Sequence, residues 1–206
     1  PYLVAKKKVK FVLFKDKTFL DIGVKKDLIY SPKYLSKNKI NKAVFLDRDG
    51  VINYDYGYVY KLKDFKWKPG VIKFIKYLND NEYLVFVVSN QSGVGRGYYK
   101  ENDVKKLELY IQNNLIKYGA HIDEFKYSFY YKFSKKKKYR KSLNLRKPNI
   151  GNFQILNKKW NLNLKKSFMI GDQPSDISFG NRAGLKSLYI NDYKNLFQIV
   201  TKKIIE

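Results

Sequence analysis

Cysteine is absent from this 206-residue chain, and histidine occurs once, at His121. The first absence excludes disulfides and thiolate metal sites, and it fits a reducing, cytoplasmic setting. No apolar run approaches the ~20 residues needed to cross a bilayer, so no membrane partner is expected. No charged-then-apolar signal segment opens the sequence. Acidic residues are few, 18 against 43 basic ones, for a net charge of +25. What remains is 44% hydrophobic, enough for a real core, in a length that suits one domain with a small appendage.

A charge of +25 invites a nucleic-acid reading. Composition offers a plainer account. Only five of the basic residues are arginine, and the abundant Lys, Asn, Ile, Tyr and Phe all have A/T-rich codons. Apart from Lys135-Lys136-Lys137-Lys138 the lysines are scattered rather than gathered in one stripe, so a polynucleotide partner is not expected. In a chain that uses lysine by default, arginine is informative. Arg48, Arg96, Arg146 and Arg182 fall in or beside the motifs below, and a planar guanidinium grips phosphate in a way lysine cannot copy. Arg96 and Arg146 are the candidate substrate ligands among them. Arg48 alternates with two aspartates and is expected to point away from them.

Those aspartates lie in Asp47-Arg48-Asp49-Gly50, directly after the apolar run Ala43-Val44-Phe45-Leu46. The run reads as a buried strand, and Gly50 marks where the chain turns out of it. Residues i and i+2 of a strand share a face, which aims Asp47 and Asp49 together beyond the strand end. Two carboxylates this close need a cation or a shared proton. A divalent metal, with one carboxylate as nucleophile and the other as proton donor, is the sharper reading; a polar turn capping a strand is the plainer one.

Three later segments favour the sharper reading. Glu82 to Val88 is a second buried-strand candidate that runs into Ser89-Asn90-Gln91-Ser92-Gly93-Val94-Gly95-Arg96-Gly97. Ser167 to Ile170 is a third, ending in Gly171-Asp172-Gln173-Pro174-Ser175-Asp176, and Arg146-Lys147-Pro148 lies between them. A hydroxyl, a lysine and a further acidic cluster at strand ends are what metal-dependent phosphoryl transfer requires, and open α/β sheets bind ligands beyond the carboxyl ends of their strands.

The order Asp-x-Asp-Gly, Ser-Asn-Gln-Ser-Gly, Arg-Lys-Pro, Gly-Asp-x-x-x-Asp resembles the haloacid dehalogenase (HAD) superfamily of phosphatases. Within it, Asp47 to Asn53, Gly57-Tyr58-Val59, Ser89 to Gly97 and Arg146-Lys147-Pro148 resemble the heptose-bisphosphate and histidinol-phosphate phosphatases. The resemblance covers roughly Asn41 to Asn195 and implies an α/β fold, a Rossmann-like parallel sheet with helices on both faces and no large cap domain. It implies that Asp47 is the nucleophile and Asp49 the acid and base. Mg²⁺ would be held by Asp47, the Asp49 carbonyl and Asp172. Ser89, Asn90 and Lys147 would meet the phosphoryl group, and Asp176 would orient a metal-bound water or the lysine, unless it only caps the next helix. Asn53, with Tyr56 and Tyr58, could line the leaving-group pocket.

The heptose-bisphosphate group usually carries a structural zinc in the loop before Arg-Lys-Pro. Here the ligand positions read Leu143-Asn144-Leu145 and no cysteine exists, so no structural zinc is expected. The loop from Phe133 to Leu145 is then expected to be held by Leu and Tyr packing, or to be mobile.

The substrate implied is a phosphorylated sugar, D-glycero-D-manno-heptose 1,7-bisphosphate cleaved at C7, with histidinol phosphate as the alternative. A basic nucleic-acid-binding protein or polynucleotide-end phosphatase is the reading from another class. A monomer is expected.

Residues 1–40 form an N-terminal appendage and 41–206 the catalytic domain on this reading. Lys8 to Phe14 and Thr18 to Ile22 read as a β-hairpin. Thr18 to Gly23 resembles the closing segment of sugar nucleotidyltransferases, and with Pro1 as first residue the chain is expected to be a piece of a longer fusion. Further on, Val71 to Leu78, Val104 to Leu115 and Phe153 to Trp160 show helical spacing, while Tyr127 to Tyr131 and Ser187 to Ile190 read as strands.

Overall fold

The structure is a computed structural model that describes residues 40–190. The appendage, its hairpin and the boundary drawn at residue 40 fall outside the described residues or at their edge.

Five strands form one parallel sheet: β1 (Ala43–Leu46), β2 (Leu84–Asn90), β3 (Glu124–Ser128), β4 (Phe168–Gly171) and β5 (Lys186–Tyr189), in the order β3-β2-β1-β4-β5. The first strand is central, pairing Val44 with Val85 on one side and Phe45 with Met169 on the other. Its four residues are all buried, which explains a continuous apolar run in place of alternation.

Successive side chains of the strand feed two separate cores. Val44 and Leu46 join Val85, Val87 and Ile170 on one face, where α1 (Val71–Asp80) contributes Phe74, Ile75 and Leu78. Leu107, Ile111 and Leu115 of α3 (Glu101–Ile116) complete that layer, α2 being the short helix Ser92–Arg96. Ala43 and Phe45 join Phe86, Val88 and Met169 on the other face. The cover there is Phe153 and Leu156 of α5 (Gly151–Trp160) and Phe179 of α6 (Pro174–Arg182), with α4 (Lys137–Arg140) lying in the preceding loop. The Phe45 ring sits 5.3 Å from Phe86 and 5.7 Å from Phe153, centroid to centroid. Burying such a ring contributes about 2–3 kcal/mol, so this central residue ties three elements together.

The observed strands differ from the expected ones mainly at their ends. The third runs over Glu124–Ser128 rather than Tyr127 to Tyr131. Its register is set by β2, with Phe86 opposite Glu124 and Asn90 opposite Ser128, and pairing stops where the Ser128 carbonyl accepts the Gln91 N–H. The second begins at Leu84, because Glu82 has φ +58° and belongs to the turn.

The sheet order places the functional loops. From β1 the chain steps outward through β2 and β3, then crosses back to β4 and β5 on the opposite side. The loops leaving β1 and β4 therefore diverge at a topological switch point, where open α/β sheets form their binding crevice. Among the described residues, the 47–70 connection contains a single 3-10 turn at Leu62–Asp64 and isolated bridges such as Asn53 to Trp67, and no inserted cap domain.

Candidate active site

Asp47, Asp49, Ser89, Asn90, Arg146, Lys147 and Asp176 all line one cleft of about 360 Å³ at the carboxyl end of the sheet. The Asp47 N–H donates to the Ile170 carbonyl across the strand ends, which brings the first motif against the fourth. Asp47, Asp172 and Asp176 each have a carboxylate oxygen within 4.8 Å of the others.

The buried Lys147 ammonium stands 3.0 Å from Asp47 and 2.7 Å from Asp176. Two of these carboxylates thus share one ammonium, and the third, on Asp172, stands beside them, which leaves negative charge in excess in a mostly desolvated place. Burial pushes Asp47 up to about 7, with Asp176 and Asp49 adding to the effect and Lys147 opposing it. Burial also raises Asp172, whose Oδ1 is enclosed without a hydrogen-bond partner. A divalent, oxygen-seeking cation fits this donor set in charge and chemistry. The chain leaves it room: Gly50 has φ +82°, and a Cβ there would overlap the Asp172 carboxylate. At Gly171 a Cβ would collide with Asp176.

The second aspartate is held differently. Arg48 donates to Asp49 through Nε at 3.1 Å and Nη2 at 2.9 Å, Asn53 Nδ2 at 2.9 Å and Gln91 Nε2 at 2.6 Å. Gln91 also donates to Ser89 Oγ and accepts from the Tyr99 hydroxyl. This network alters two expectations and adds one residue. Arg48 does not point away. The strand ends at Leu46, so alternation lapses, and the fully buried guanidinium folds onto Asp49 and the Val59 carbonyl. Asn53, expected at the substrate, is fully buried and positions Asp49 instead. Gln91 was not singled out by sequence, although it lies inside the Ser-Asn-Gln-Ser-Gly motif and an amide is the side chain that can bridge an acceptor and a donor.

Asn90 accepts from the Lys147 N–H at 3.0 Å and donates to its carbonyl at 3.1 Å. It fastens the lysine's backbone rather than standing as a free amide. Asp176 combines both tasks considered for it. Oδ2 accepts the Gln173 N–H at the start of α6, and Oδ1 faces Lys147. Arg146 is half-buried at the cleft, with Nη1 enclosed and unpartnered. Arg96 is not in this cleft. Its guanidinium lies 4.2 Å from the Tyr131 ring centroid and lines a neighbouring cavity of about 630 Å³ with Lys100, Lys135 and Lys136, the two spaces meeting at Tyr99.

The loop where zinc was not expected is fastened by other means. Tyr139 is buried beside Val94, Tyr99 and Val104, and Glu101 binds its hydroxyl and Lys138, each at 2.6 Å. Asn152 donates to the Leu145 carbonyl. Tyrosine packing is as expected; Leu143 is about half exposed and contributes little.

A family model described as polynucleotide kinase 3 phosphatase matches residues 45–198. The chain belongs to this family of HAD phosphatases. It is 39% identical over 143 residues to a D-glycero-beta-D-manno-heptose-1,7-bisphosphate 7-phosphatase of Rhodopseudomonas palustris, covering 69% of this chain and 79% of that protein. It is 35% identical to a D-glycero-alpha-D-manno-heptose-1,7-bisphosphate 7-phosphatase of Campylobacter jejuni, covering 77% and 94%. Among solved structures, a HAD-like phosphatase of Mesorhizobium loti superposes with a TM-score of 0.70 at 29% identity, over 74% of each chain. The D,D-heptose 1,7-bisphosphate phosphatase of B. bronchiseptica, complexed with magnesium and phosphate, shares the fold with a TM-score of 0.66 at 21% identity, over 78% of this chain and 86% of that one. This HAD phosphatase is a hydrolase with a five-stranded parallel α/β fold, and none of its described helices is long and apolar enough to cross a membrane.

The raised Asp47 predicts a pH effect on cation binding. The free carboxyl, held near 7 when buried against 3.8 unperturbed, favours the protonated folded state. Its contribution to stability is therefore present at low pH and lost as pH rises through about 7. A cation must displace that proton, so Mg²⁺ binding is expected to weaken about tenfold from pH 8 to pH 6. Thermal melts with and without Mg²⁺ check this: the Mg²⁺-induced rise in Tm grows with pH, and an equal rise at both pH values rules it out.

Proposed function

We propose that the protein is a Mg²⁺-dependent phosphomonoesterase that removes the C7 phosphate of D-glycero-D-manno-heptose 1,7-bisphosphate through an aspartyl-phosphate on Asp47. The observation that carries the chemistry is a cluster of three carboxylates, two of them paired with one buried ammonium, beside a fourth carboxylate fixed by Arg48, Asn53 and Gln91. The substrate rests on the names borne by relatives at 34–39% identity.

Asp47, Asp172 and the Asp49 carbonyl would hold Mg²⁺, which when bound neutralises charge on the phosphoryl oxygens. In the first step an Asp47 oxygen attacks phosphorus and the bond to the sugar oxygen breaks. Asp49 gives its proton to that departing oxygen. In the second step Asp49 takes a proton from water, whose oxygen attacks the same phosphorus and releases Asp47. Lys147 and the Ser89 hydroxyl stabilise the negative charge in both steps. Asp176 and Asn90 keep Lys147 at the cleft. Arg146 meets the phosphate at the cleft wall, and Arg96 draws a second phosphate toward the adjoining basic cavity. On this reading the enzyme acts as a monomer in the cytoplasm, and neither zinc nor a polynucleotide takes part.

Comparing kcat/KM for the heptose bisphosphate and for histidinol phosphate, each with Mg²⁺ and with EDTA, tests the assignment. The expected result is at least a hundredfold preference for the heptose, in keeping with what a few lost polar contacts cost, about 1–3 kcal/mol each, and loss of turnover in EDTA. A preference for histidinol phosphate would overturn the substrate, and undiminished turnover in EDTA the metal.

A further inference from the structure

We propose that Tyr99 is a positioning residue for protonation of the leaving group. Its hydroxyl fixes which way round the Gln91 amide sits, and the amide in turn leaves the Asp49 proton free for the departing oxygen. This deepens the phosphatase reading above and rests on it, whichever alkyl phosphate is the substrate.

The two oxygens of Asp49 are unequally occupied. Oδ1 accepts from Arg48 Nε at 3.1 Å, Arg48 Nη2 at 2.9 Å and Asn53 Nδ2 at 2.9 Å. Oδ2 accepts from Gln91 Nε2 at 2.6 Å and shares Arg48 Nη2 at 2.9 Å. Three donors aimed at Oδ1 leave it no lone pair for a proton, so the proton that Asp49 delivers is carried on Oδ2. The neighbour of Oδ2 is the Gln91 amide, which presents a donor at one end and an acceptor at the other.

With Nε2 toward Asp49, the amide donates to Oδ2 and leaves that oxygen's proton to the substrate. Turned over, it would offer Oε1 instead, and Oε1 would accept the proton and hold it away from the departing group. The two orientations fill the same space, so shape does not choose between them. Ser89 does not choose either. Its Oγ accepts from Gln91 Nε2 at 3.0 Å, but a hydroxyl donates equally well. Tyr99 supplies the choice. Its hydroxyl donates to Gln91 Oε1 at 2.7 Å, and no other acceptor meets it among the described residues. Turning the amide over would leave a buried O–H unpartnered, which is costly. Burial also pushes the Tyr99 phenol well above its usual range, so the O–H remains a donor.

The ring is held independently of its oxygen. Tyr99 is buried where the two cavities meet, stacked on Tyr60 with centroids 4.6 Å apart and planes 9° from parallel. Val94, Val104 and Tyr139 pack with it. At Gly93 a Cβ would overlap the Tyr99 ring, so the backbone of α2 makes way for it. Phenylalanine keeps these contacts and removes only the hydroxyl.

The test compares wild type and Tyr99→Phe, with Mg²⁺, on two kinds of substrate. One is whichever of heptose bisphosphate and histidinol phosphate the wild type prefers, an alkyl phosphate whose oxygen must be protonated as it leaves. The other is acetyl phosphate, whose acetate leaves without a proton. The readout is kcat/KM, which reports transfer to Asp47 before Asp49 turns to water. For the alkyl phosphate it is expected to fall about tenfold, the scale of one ordinary hydrogen bond, through kcat with KM unchanged. For acetyl phosphate it is expected to stay as in the wild type. In a Gln91→Ala background Tyr99→Phe is expected to cost nothing further on either substrate, because the hydroxyl acts through that amide. An unchanged rate on the alkyl phosphate overturns the proposal, as does an equal fall on both substrates, which marks a structural role. A full loss that persists in the Gln91→Ala background overturns it too, since Tyr99 then acts by another route. Wild-type protein inert toward all three phosphates removes the phosphatase reading and the proposal with it, a result distinct from the others.

Discussion

Asp47→Asn is expected to lower kcat by about 10⁴-fold or more, the scale on which removing a covalent nucleophile acts. The amide has nearly the shape of the carboxylate but cannot form the acyl phosphate. It can still accept the Arg48 N–H, now bonded to Asp47 Oδ1 at 2.7 Å, so the loop geometry survives. Without Mg²⁺ the variant is expected to be as stable as the wild type or more so, because a carboxyl that burial holds near 7 no longer has to ionise in place. With Mg²⁺ the order reverses, since the variant lacks one of the three clustered carboxylates that attract the cation. Loss of turnover with a retained metal-free Tm and a smaller Mg²⁺ shift identifies a group of the chemistry rather than of the fold. A variant that keeps more than about a hundredth of the activity, well above the residual rates left when a nucleophile is lost, refutes Asp47 as the attacking group.

The sequence made the strand ends legible because a buried parallel strand must be a short apolar run, and polar residues directly after it have few other places to point. That reasoning located Asp47, Ser89 and Asp172 at strand ends, and Lys147 in the loop that closes on them. It was weaker once the strand stopped. Arg48 was read by alternation, but β1 ends two residues earlier, and beyond it a turn decides direction. Gly50 N–H donates to the Asn53 carbonyl there, curling Asn53 under Asp49. Asn53 and Asn90 fitted substrate contact by type, but an amide side chain serves equally well to pin a neighbour, and only coordinates separate the two uses. Arg96 was read from proximity to Ser89 in sequence, yet α2 intervenes and carries its side chain into the next cavity. The loop at 133–145 illustrates a different gap. A missing zinc ligand can be read from composition, while the clasp of Tyr139 and Lys138 on Glu101 joins residues 37 and 38 positions apart, a separation that no local pattern reveals.

Lys147→Met tests the other half of the charge balance. Methionine approximates the volume of the lysine stem, so the expected loss is electrostatic rather than a cavity. The Lys147 side chain is 1% exposed, and its ammonium lies 3.0 Å from Asp47 and 2.7 Å from Asp176. Removing the cation leaves buried carboxylates facing each other, and breaking a buried pair in this way costs about 3–5 kcal/mol. Urea unfolding without Mg²⁺ is expected to show that loss, and kcat to fall about 10²–10³-fold, as for other preorganised donors to a developing oxyanion. Asp176→Asn added to Lys147→Met separates the two effects. Asparagine keeps an oxygen for the Gln173 N–H that starts α6 while removing one of the unpaired charges. The double variant is therefore expected to regain much of the stability and none of the rate. Recovery of rate along with stability would mean that Lys147 only holds the aspartates apart. Recovery of stability alone leaves its ammonium as the group that meets the phosphoryl oxygens.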